Sequence, residues 1–285
     1  MRMYLAAVTR RLPNKANAMT DLHAVAKRCL DASDPAEKLR LTQAAWQAVQ
    51  AGVLKPDSAS PPPLLIGAPG RPARPQLVNA RQVPQRGLGS DEGRAALVHA
   101  VAHIEFNAIN LAWDAVYRYR GMPDAYYLDW VSCAHDESRH FAMLAQRLGE
   151  LNCAYGDFDA HDGLWAMAEK TAHHDTARMA LVPRVLEARG LDVTPGMIAR
   201  LRHLGDTRTV QILEVILREE VAHVAAGTRW YLHCCARDGV EPVETFFALL
   251  RQYMGVSLRG PFNRPARLEA GFVAEELDRL AALAP

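Results

Sequence analysis

Two short stretches of the sequence each place a glutamate three residues before a histidine in an apolar setting. In "CAHDESRHF" these residues are Glu137 and His140, and in "EEVAHVAAG" they are Glu220 and His223. Positions i and i+3 are neighbours on one face of a helix, so each pair directs an oxygen and a nitrogen donor to the same point. Oxygen and nitrogen donors in this combination are typical ligands of divalent transition metals.

Two single glutamates lie in comparable surroundings on other helical segments. Glu105 shares its helix face, at steps of three and four, with the apolar side chains of Val101, Ala108, Ile109 and Ala112. The fourth carboxylate candidate, Glu187, follows Pro183 in "LVPRVLEARG", and the proline is expected to kink this helix.

Alternatives exist for two of these carboxylates. Glu169 lies on the same predicted segment as Glu187, where the proline blurs the helix phase. Glu219 precedes Glu220 but has no histidine three residues later, so we expect it on the flanking face, exposed to solvent.

Carboxylates that converge in a core require a counter-charge, because an ionised carboxylate away from water costs many kcal/mol. Two divalent cations would supply that charge.

The pattern matches the ligand set of di-iron and di-manganese carboxylate bundles, in which two helices give one Glu each and two others give Glu-x-x-His. The sequence thus predicts a dinuclear site, with two Fe ions or Mn or a mixed Fe/Mn pair. The predicted ligands are Glu105, Glu137, His140, Glu187, Glu220 and His223. The competing interpretation is that these side chains are solvated or paired and that the helix phases are misassigned.

Other polar residues near these motifs are candidates for supporting roles. His103 and His99 are interpreted as core histidines or as neighbours of the ligands. Asp114 and Asp136 are possible acceptors for the outer nitrogen of a ligand histidine, because such ligands usually donate their second ring N–H.

The hydrophobic periodicity predicts an all-α protein built on four long helices. The expected long helices cover residues 91–119, 124–150, 164–189 and 203–236, and shorter ones cover 241–255 and 268–283. Breaks are expected at Gly121 to Pro123, at "AYGDFDAHDG" and from Gly190 to Gly196.

Three regions are predicted along the chain. Residues 1–54 form a tail and a small helical unit, in which Ser33 or Asp34 caps a helix that begins at Pro35. Residues 55–90 contain eight prolines and four arginines, and should run extended over the surface. Residues 91–285 form the helical bundle with additional C-terminal helices.

Composition narrows the functional classes. Lys and Arg number 33 against 32 Asp and Glu, a net charge of +1, which does not favour a general nucleic-acid binder. The five cysteines form no CxxC pair and suit reduced thiols in a cytoplasmic protein. No uninterrupted apolar run approaches the roughly 18 residues of a membrane span, so no membrane association is expected.

Several longer stretches resemble the ferritin-like proteins grouped as domain of unknown function 455. They are "RAALVHAVAHIEFNAINLAWDAVYRY", "HDESRHF", "GDFDAHDGLW", "ARMALVPRVLEARGLDVTP", "EEVAHVAAGTRWY" and the Pro-rich "PGRPARPQLV". The resemblance implies a ferritin-like four-helix bundle, and supports the same six ligands. More distantly, the ligand pattern is similar to that of di-iron hydroxylases, including a bacterial tRNA-modifying monooxygenase, at the level of fold analogy.

The leading functional hypothesis is therefore a monooxygenase or hydroxylase that activates dioxygen and takes electrons from an external donor. Its substrate would be a small molecule, or RNA as a less favoured choice, bound near Trp113, Tyr117, Trp130 or Trp165. The alternatives are a ferroxidase, storage or stress-defence protein without an organic substrate, and an interaction scaffold with a structural metal. We expect a monomer or a small homo-oligomer.

Overall fold

The computed structural model describes residues 21–255, 258 and 260–283, so the tail predicted for residues 1–20 lies outside the described residues. The described chain is helical, and its only β-type pairings are two isolated bridges. The helices are α1 (Leu22–Asp31), α2 (Pro35–Gln50), α3 (Asp91–Arg118), α4 (Asp124–Glu150), α5 (Gly163–Lys170), α6 (Asp175–Leu181), a π-helical turn (Val182–Glu187), α7 (Ala188–His203), α8 (Thr207–Asp238), α9 (Pro242–Met254), α10 (Arg264–Glu269) and α11 (Ala274–Leu283). The prediction of an all-α bundle is confirmed.

Local sequence signals account for most helix ends. Asp34 caps α2 by accepting a hydrogen bond from the Glu37 backbone N–H at 2.8 Å, with Pro35 as the first helical residue. Ser90 caps α3 in the same way, through the N–H of Gly93. Helix α8 ends where Gly239 adopts the left-handed conformation, with φ of 68°, which glycine adopts without strain.

The third long helix differs from the prediction in its middle and at its C-terminal end. The predicted segment 164–189 is divided into α5 and α6 by the turn at residues 171–174, and it continues through the π-helical turn into α7. The predicted break from Gly190 to Gly196 is wrong, because these residues lie inside α7. The chain reverses instead at Leu204 to Asp206, before α8.

Pro195 is accommodated inside α7 by a side chain from the C-terminal region. A proline has no N–H to bond the carbonyl of the residue four positions earlier, which is Leu191 here. Asn263 donates its side-chain amide to that carbonyl oxygen at 3.0 Å. The lost helical bond is thus replaced, and the helix continues.

The long helices pack around one hydrophobic core. Helix α3 lies along α4, α4 contacts α8, and α8 packs against α6, the π-helical turn and α7. Helices α1 and α2 pack on α3 and α4, and their buried side chains belong to the same core. By length and composition α3 could span a membrane, but 78% of its most apolar window is buried within the protein, so its composition is that of a core helix.

The Pro-rich segment from residue 55 to 90 is extended, apart from a short 3-10 turn at Ala80–Gln82. Trp165 donates its indole N–H to the carbonyl of Gly67 at 2.5 Å, and Gly70 donates its N–H to Leu30 at 2.8 Å. A Cβ on Gly70 would lie 2.2 Å from the carbonyl oxygen of Asp31, so only glycine permits this close approach. The segment is therefore fastened to both the N-terminal helices and α5.

Candidate metal centre

Three long helices bring five of the six predicted ligands into the core. Glu105 lies in the middle of α3, Glu137 and His140 lie on α4, and Glu220 and His223 lie on α8. All five are less than a tenth exposed, and His140 is fully buried. Such residues are almost never buried without partners, so their convergence requires a physical explanation.

Four of these residues form one compact group. Ligand atoms from Glu105, Glu137, His140 and Glu220 all lie within 4.8 Å of one another. The Nδ1 atom of His140 is 3.1 Å from Glu105 Oε2, 3.5 Å from Glu137 Oε2 and 4.0 Å from Glu220 Oε1. The imidazole thus faces carboxylates from three different helices.

His223 joins the group from the opposite side of Glu137. Its Nδ1 atom is 3.0 Å from Glu137 Oε1 and 3.5 Å from Glu220 Oε1. The two imidazole rings have centroids 5.9 Å apart. Each histidine therefore directs Nδ1 into the cluster, and Glu137 lies between them.

Glu187 is positioned by the π-helical turn and is only partly buried. Burial and the nearby charges of Glu137 and Glu220 raise its pKa to about 8. Its carboxyl group is thus near enough for the charges of Glu137 and Glu220 to act on it, but it is outside the four-residue group. Glu169, the alternative carboxylate, is exposed on α5.

A close contact between two helices fixes the π-helical turn. A Cβ on Gly227 of α8 would lie 2.3 Å from Cβ and 2.5 Å from Cγ of Pro183, so the missing side chain makes room for the proline ring. Gly227 is one helical turn beyond His223, and Pro183 is four residues before Glu187. The expected disturbance at Pro183 is thus a widened turn, a feature that is frequent at functional sites.

The Nε2 atoms of the two histidines contact carboxylates outside the cluster, and the sequence interpretation missed one of these carboxylates. His140 Nε2 lies 2.8 Å from Oε2 of Glu219, a residue expected to be solvated. His223 Nε2 lies 3.4 Å from Asp136 Oδ2, consistent with the candidate role of that aspartate. Arg139 binds both carboxylates, at 2.8 Å to Asp136 and 3.0 Å to Glu219.

This arrangement is crossed between the helices. The histidine of α4 contacts the carboxylate that precedes Glu220 on α8, and the histidine of α8 contacts the carboxylate that precedes Glu137 on α4. In the sequence, an acidic residue directly precedes each Glu-x-x-His motif, and this repetition could have predicted that Glu219 contacts a ligand histidine. Because a carboxylate accepts and does not donate, each Nε2 carries the proton, which in a neutral imidazole leaves the Nδ1 lone pair free for a metal.

The remaining candidates contact other groups. His103 Nδ1 is 2.9 Å from the Tyr155 hydroxyl, and His99 Nε2 accepts the Gly156 N–H at 2.9 Å, so both are core histidines. Asp114 binds Arg118 and Arg178, both at 2.6 Å, and is not a partner of a ligand histidine. The aromatic side chains proposed to line a substrate pocket are largely core residues, since Trp113, Tyr117, Trp130 and Trp165 are all buried.

Proton positions in the metal-free cluster follow from burial and from contacts. Burial, reinforced by the charge of Glu137, raises the pKa values of Glu105 and Glu220. Burial would also raise the pKa of Glu137, but the imidazole Nδ1 atoms of His140 and His223, 3.5 and 3.0 Å from its carboxylate oxygens, hold it well below the usual range. Burial opposes the charge of His140, yet Glu105 and Glu137 raise its pKa to about 11.

The donor set fits a divalent transition metal. Within the described part of the chain, Glu137 Oε2 and His223 Nδ1 are buried without a hydrogen-bond partner. Buried polar atoms are rarely left unpaired, and both of these atoms face the carboxylate cluster. A cation bound between them would satisfy both atoms and replace the protons that now balance the carboxylates.

The fold and the site together define a class: a helical bundle with a buried group of glutamate and histidine side chains that could hold a metal ion. Residues 31–278 match the family model described as "Protein of unknown function (DUF455)". A Haemophilus influenzae protein described as "Uncharacterized protein" is 45% identical over 214 residues, which cover 73% of this chain and 74% of that protein. The chain belongs to the DUF455 family. No solved structure matches it.

Proposed function

We propose that this chain is a ferritin-like protein with a di-iron site that activates dioxygen as a monooxygenase or hydroxylase. The observation that carries the proposal is the convergence of three buried carboxylates and two inward-facing Nδ1 atoms, with Glu187 at the border. This donor set corresponds to that of di-iron and di-manganese carboxylate bundles.

The chain connections support the ferritin-like arrangement. Residues 119–123 link α3 to α4, and residues 204–206 link α7 to α8, so both connections are short. Residues 151–174, which include α5, separate α4 from α6. Ferritin-like bundles have one long crossover connection, and the second connection here is the long one.

The positions of the ligands suggest a role for each. Glu137 contacts both histidines, and Glu220 lies within 4.0 Å of both Nδ1 atoms, so these two carboxylates are suited to bridge two ions. Glu105 from α3 and Glu187 from the π-helical turn would be terminal ligands. His140 and His223 would each hold one ion, with Nε2 fixed by Glu219 or Asp136.

A di-iron centre held by these residues would supply the two electrons that dioxygen activation needs. The protein's own contribution is orientation and the exclusion of water. Ile109, Phe141 and Ile216 are buried on the ligand-bearing helices and make the surroundings apolar. We propose that the electrons come from an external donor, since no rubredoxin-like CxxC pair is present in the sequence.

We propose a small-molecule substrate rather than RNA. An RNA-binding surface would need free cations, and the arginines of the Pro-rich segment are partly engaged. Arg71 pairs with Asp162 at 2.9 Å, and Arg86 pairs with Glu92 at 3.0 Å.

Metal stoichiometry tests the dinuclear site. The purified chain is loaded anaerobically with Fe(II), freed of excess iron and analysed for metal content. We expect two irons per chain, and a marked loss of iron in Glu137→Ala and Glu220→Ala. Glu214→Ala is the matched control, because Glu214 is an exposed glutamate of α8 that pairs with Arg202. Iron content that is below stoichiometry and unchanged in the two ligand variants would refute the dinuclear site.

The response to oxygen separates the functional classes. Admission of air to the loaded protein should consume oxygen in proportion to two irons, without growth of a mineral. Accumulation of many irons per chain would instead indicate storage. No oxygen consumption at all would favour a structural metal.

A further inference from the structure

A line of side-chain contacts connects the metal centre to the protein surface where α2 packs on α4. His223 Nε2 is 3.4 Å from Asp136 Oδ2, and the other oxygen of Asp136 is 3.7 Å from Nδ1 of His135. The ring of His135 stacks on the indole of Trp46, with ring centroids 5.1 Å apart and planes inclined by 16°. Trp46 is partly exposed on α2. The contacts therefore run without interruption from solvent to a predicted metal ligand.

The N-terminal helical unit completes this line, although it carries none of the predicted ligands. His135 belongs to α4, and both side chains that hold its ring on the outer side come from α2. One is the stacked Trp46, and the other is Gln43, whose Oε1 atom lies 3.0 Å from Nε2 of His135. Packing of α2 on α4 thus places an aromatic ring between the metal centre and solvent.

The surface of α2 around Trp46 carries no charge. Charged residues make up 23% of the whole chain, but residues 41–54 contain none. The exposed side chains of this stretch include Gln43, Ala44, Gln47, Gln50 and Val53. Protein–protein interfaces are enriched in aromatic residues and depleted of charged residues at their centre. This uncharged surface is therefore suited to contact with another protein.

We propose that Trp46 is the point at which electrons for the di-iron centre enter the protein, from a one-electron carrier protein that contacts this uncharged surface. Two reduced carriers give up one electron each, and two Fe(III) ions become two Fe(II) ions. No covalent bond of the chain forms or breaks. Trp46 and His135 keep their own oxidation state and act as positioning residues, because aromatic rings in contact couple an electron donor to an acceptor better than aliphatic side chains or water do.

The inference rests on the proposed di-iron function, because only a metal that changes its oxidation state needs a supply of electrons. It adds to that function an entry point and a kind of partner. It also gives a role to α2, which the metal ligands alone do not explain.

Flash photoreduction of the full-length protein tests the route with a synthetic electron donor. A ruthenium polypyridyl label is attached to a cysteine introduced at Gln50, an exposed residue one helical turn beyond Trp46. In a second protein the label is attached at Ala142, which is exposed on α4 two residues after His140. Cys153 is replaced by serine in both proteins, since the four other cysteines are buried.

The labelled proteins are loaded with iron, oxidised by air and analysed for iron content. A flash in the presence of ascorbate then reduces the label, which passes one electron to Fe(III). The rate at which the label is oxidised again measures the electron transfer. The label at position 50 reaches the metal centre through Trp46, whereas the label at position 142 reaches it along α4.

Trp46→Leu should slow electron transfer from position 50 several-fold and leave the transfer from position 142 unchanged. Trp46→Phe keeps an aromatic ring against His135 and should retain most of the rate from position 50. Circular dichroism checks that each variant is folded. Equal rates from position 50 in Trp46→Leu and in the unmodified sequence would overturn the inference, as would equal slowing from both label positions. Iron content below two per chain before any flash would instead refute the di-iron function, and the inference with it.

Discussion

In the metal-free cluster the surroundings favour the ionised form of Glu137, whereas burial favours the protonated forms of the carboxyl groups around it. The two imidazoles beside Glu137 keep its pKa low against the effect of burial, while burial raises the pKa of Glu105, Glu187 and Glu220. Metal binding must therefore displace protons from both carboxyl and imidazole groups. Affinity for a divalent ion should accordingly increase with pH.

The proton on Glu187 links folding stability to pH. In the folded metal-free protein its pKa is about 8, compared with 4.5 as its ordinary value. Between these values the folded state holds a proton that the unfolded chain releases, so the unfolding free energy must fall as pH rises. We expect Glu187→Gln, which cannot release a proton, to reduce this fall by up to about 1.4 kcal/mol per pH unit.

Urea unfolding of the metal-free protein from pH 5.5 to 8 measures this effect. Glu169→Gln, at an exposed position of α5, is the control and should leave the slope unchanged. An identical pH slope in Glu187→Gln and in the unmodified protein would mean that Glu187 is ionised throughout this range.

The π-helical turn depends on contact between Pro183 and a glycine of the neighbouring helix. Replacing a glycine inside a helix with alanine normally stabilises the helix by about 0.5–1 kcal/mol. Gly227→Ala should instead destabilise the protein by about 1–3 kcal/mol, because the new Cβ would overlap the proline ring. The same variant should lose metal, because movement of the turn displaces Glu187.

Gly190→Ala provides the matched control, since Gly190 is also inside a helix but a Cβ there would meet nothing within 4 Å. Denaturant unfolding and metal content are measured for both variants. If Gly227→Ala is as stable as Gly190→Ala, Pro183 does not restrain the turn.

At the level of the elements, sequence periodicity predicted α3, α4 and α8 well, because each is a long helix with a sustained apolar face. It failed for the third long helix, where the compensation for Pro195 comes from Asn263, 68 residues later. Position within an apolar face was sufficient to predict that Glu105, Glu137 and Glu220 are buried. It could not predict that Glu219 contacts His140, since that contact depends on how α4 and α8 are aligned.

For the whole molecule, the candidate ligands connect α3, α4, α8 and the π-helical turn, so a bound metal should stabilise the entire fold. A ligand present at about 1,000 times its Kd adds about 4 kcal/mol to the unfolding free energy. For a chain of this size we expect a chelator to lower the Tm by about 5–10 °C.

Differential scanning fluorimetry with and without a chelator measures this shift, and added Fe(II) or Mn(II) should reverse it. Glu137→Ala, which lacks the carboxylate that contacts both histidines, should show no response to the chelator. An equal response in this variant would show that the stabilising metal is bound elsewhere.

The crossed contacts of His140 with Glu219 and of His223 with Asp136 also oppose axial movement of α4 relative to α8. Each residue advances 1.5 Å along a helix axis, so an axial slip of α4 past α8 by even one residue would break both contacts together. Arg139 spans the two carboxylates and opposes the same slip. These contacts therefore hold α4 and α8 in one axial register. A shift of either helix would change the surroundings of both histidines at the same time.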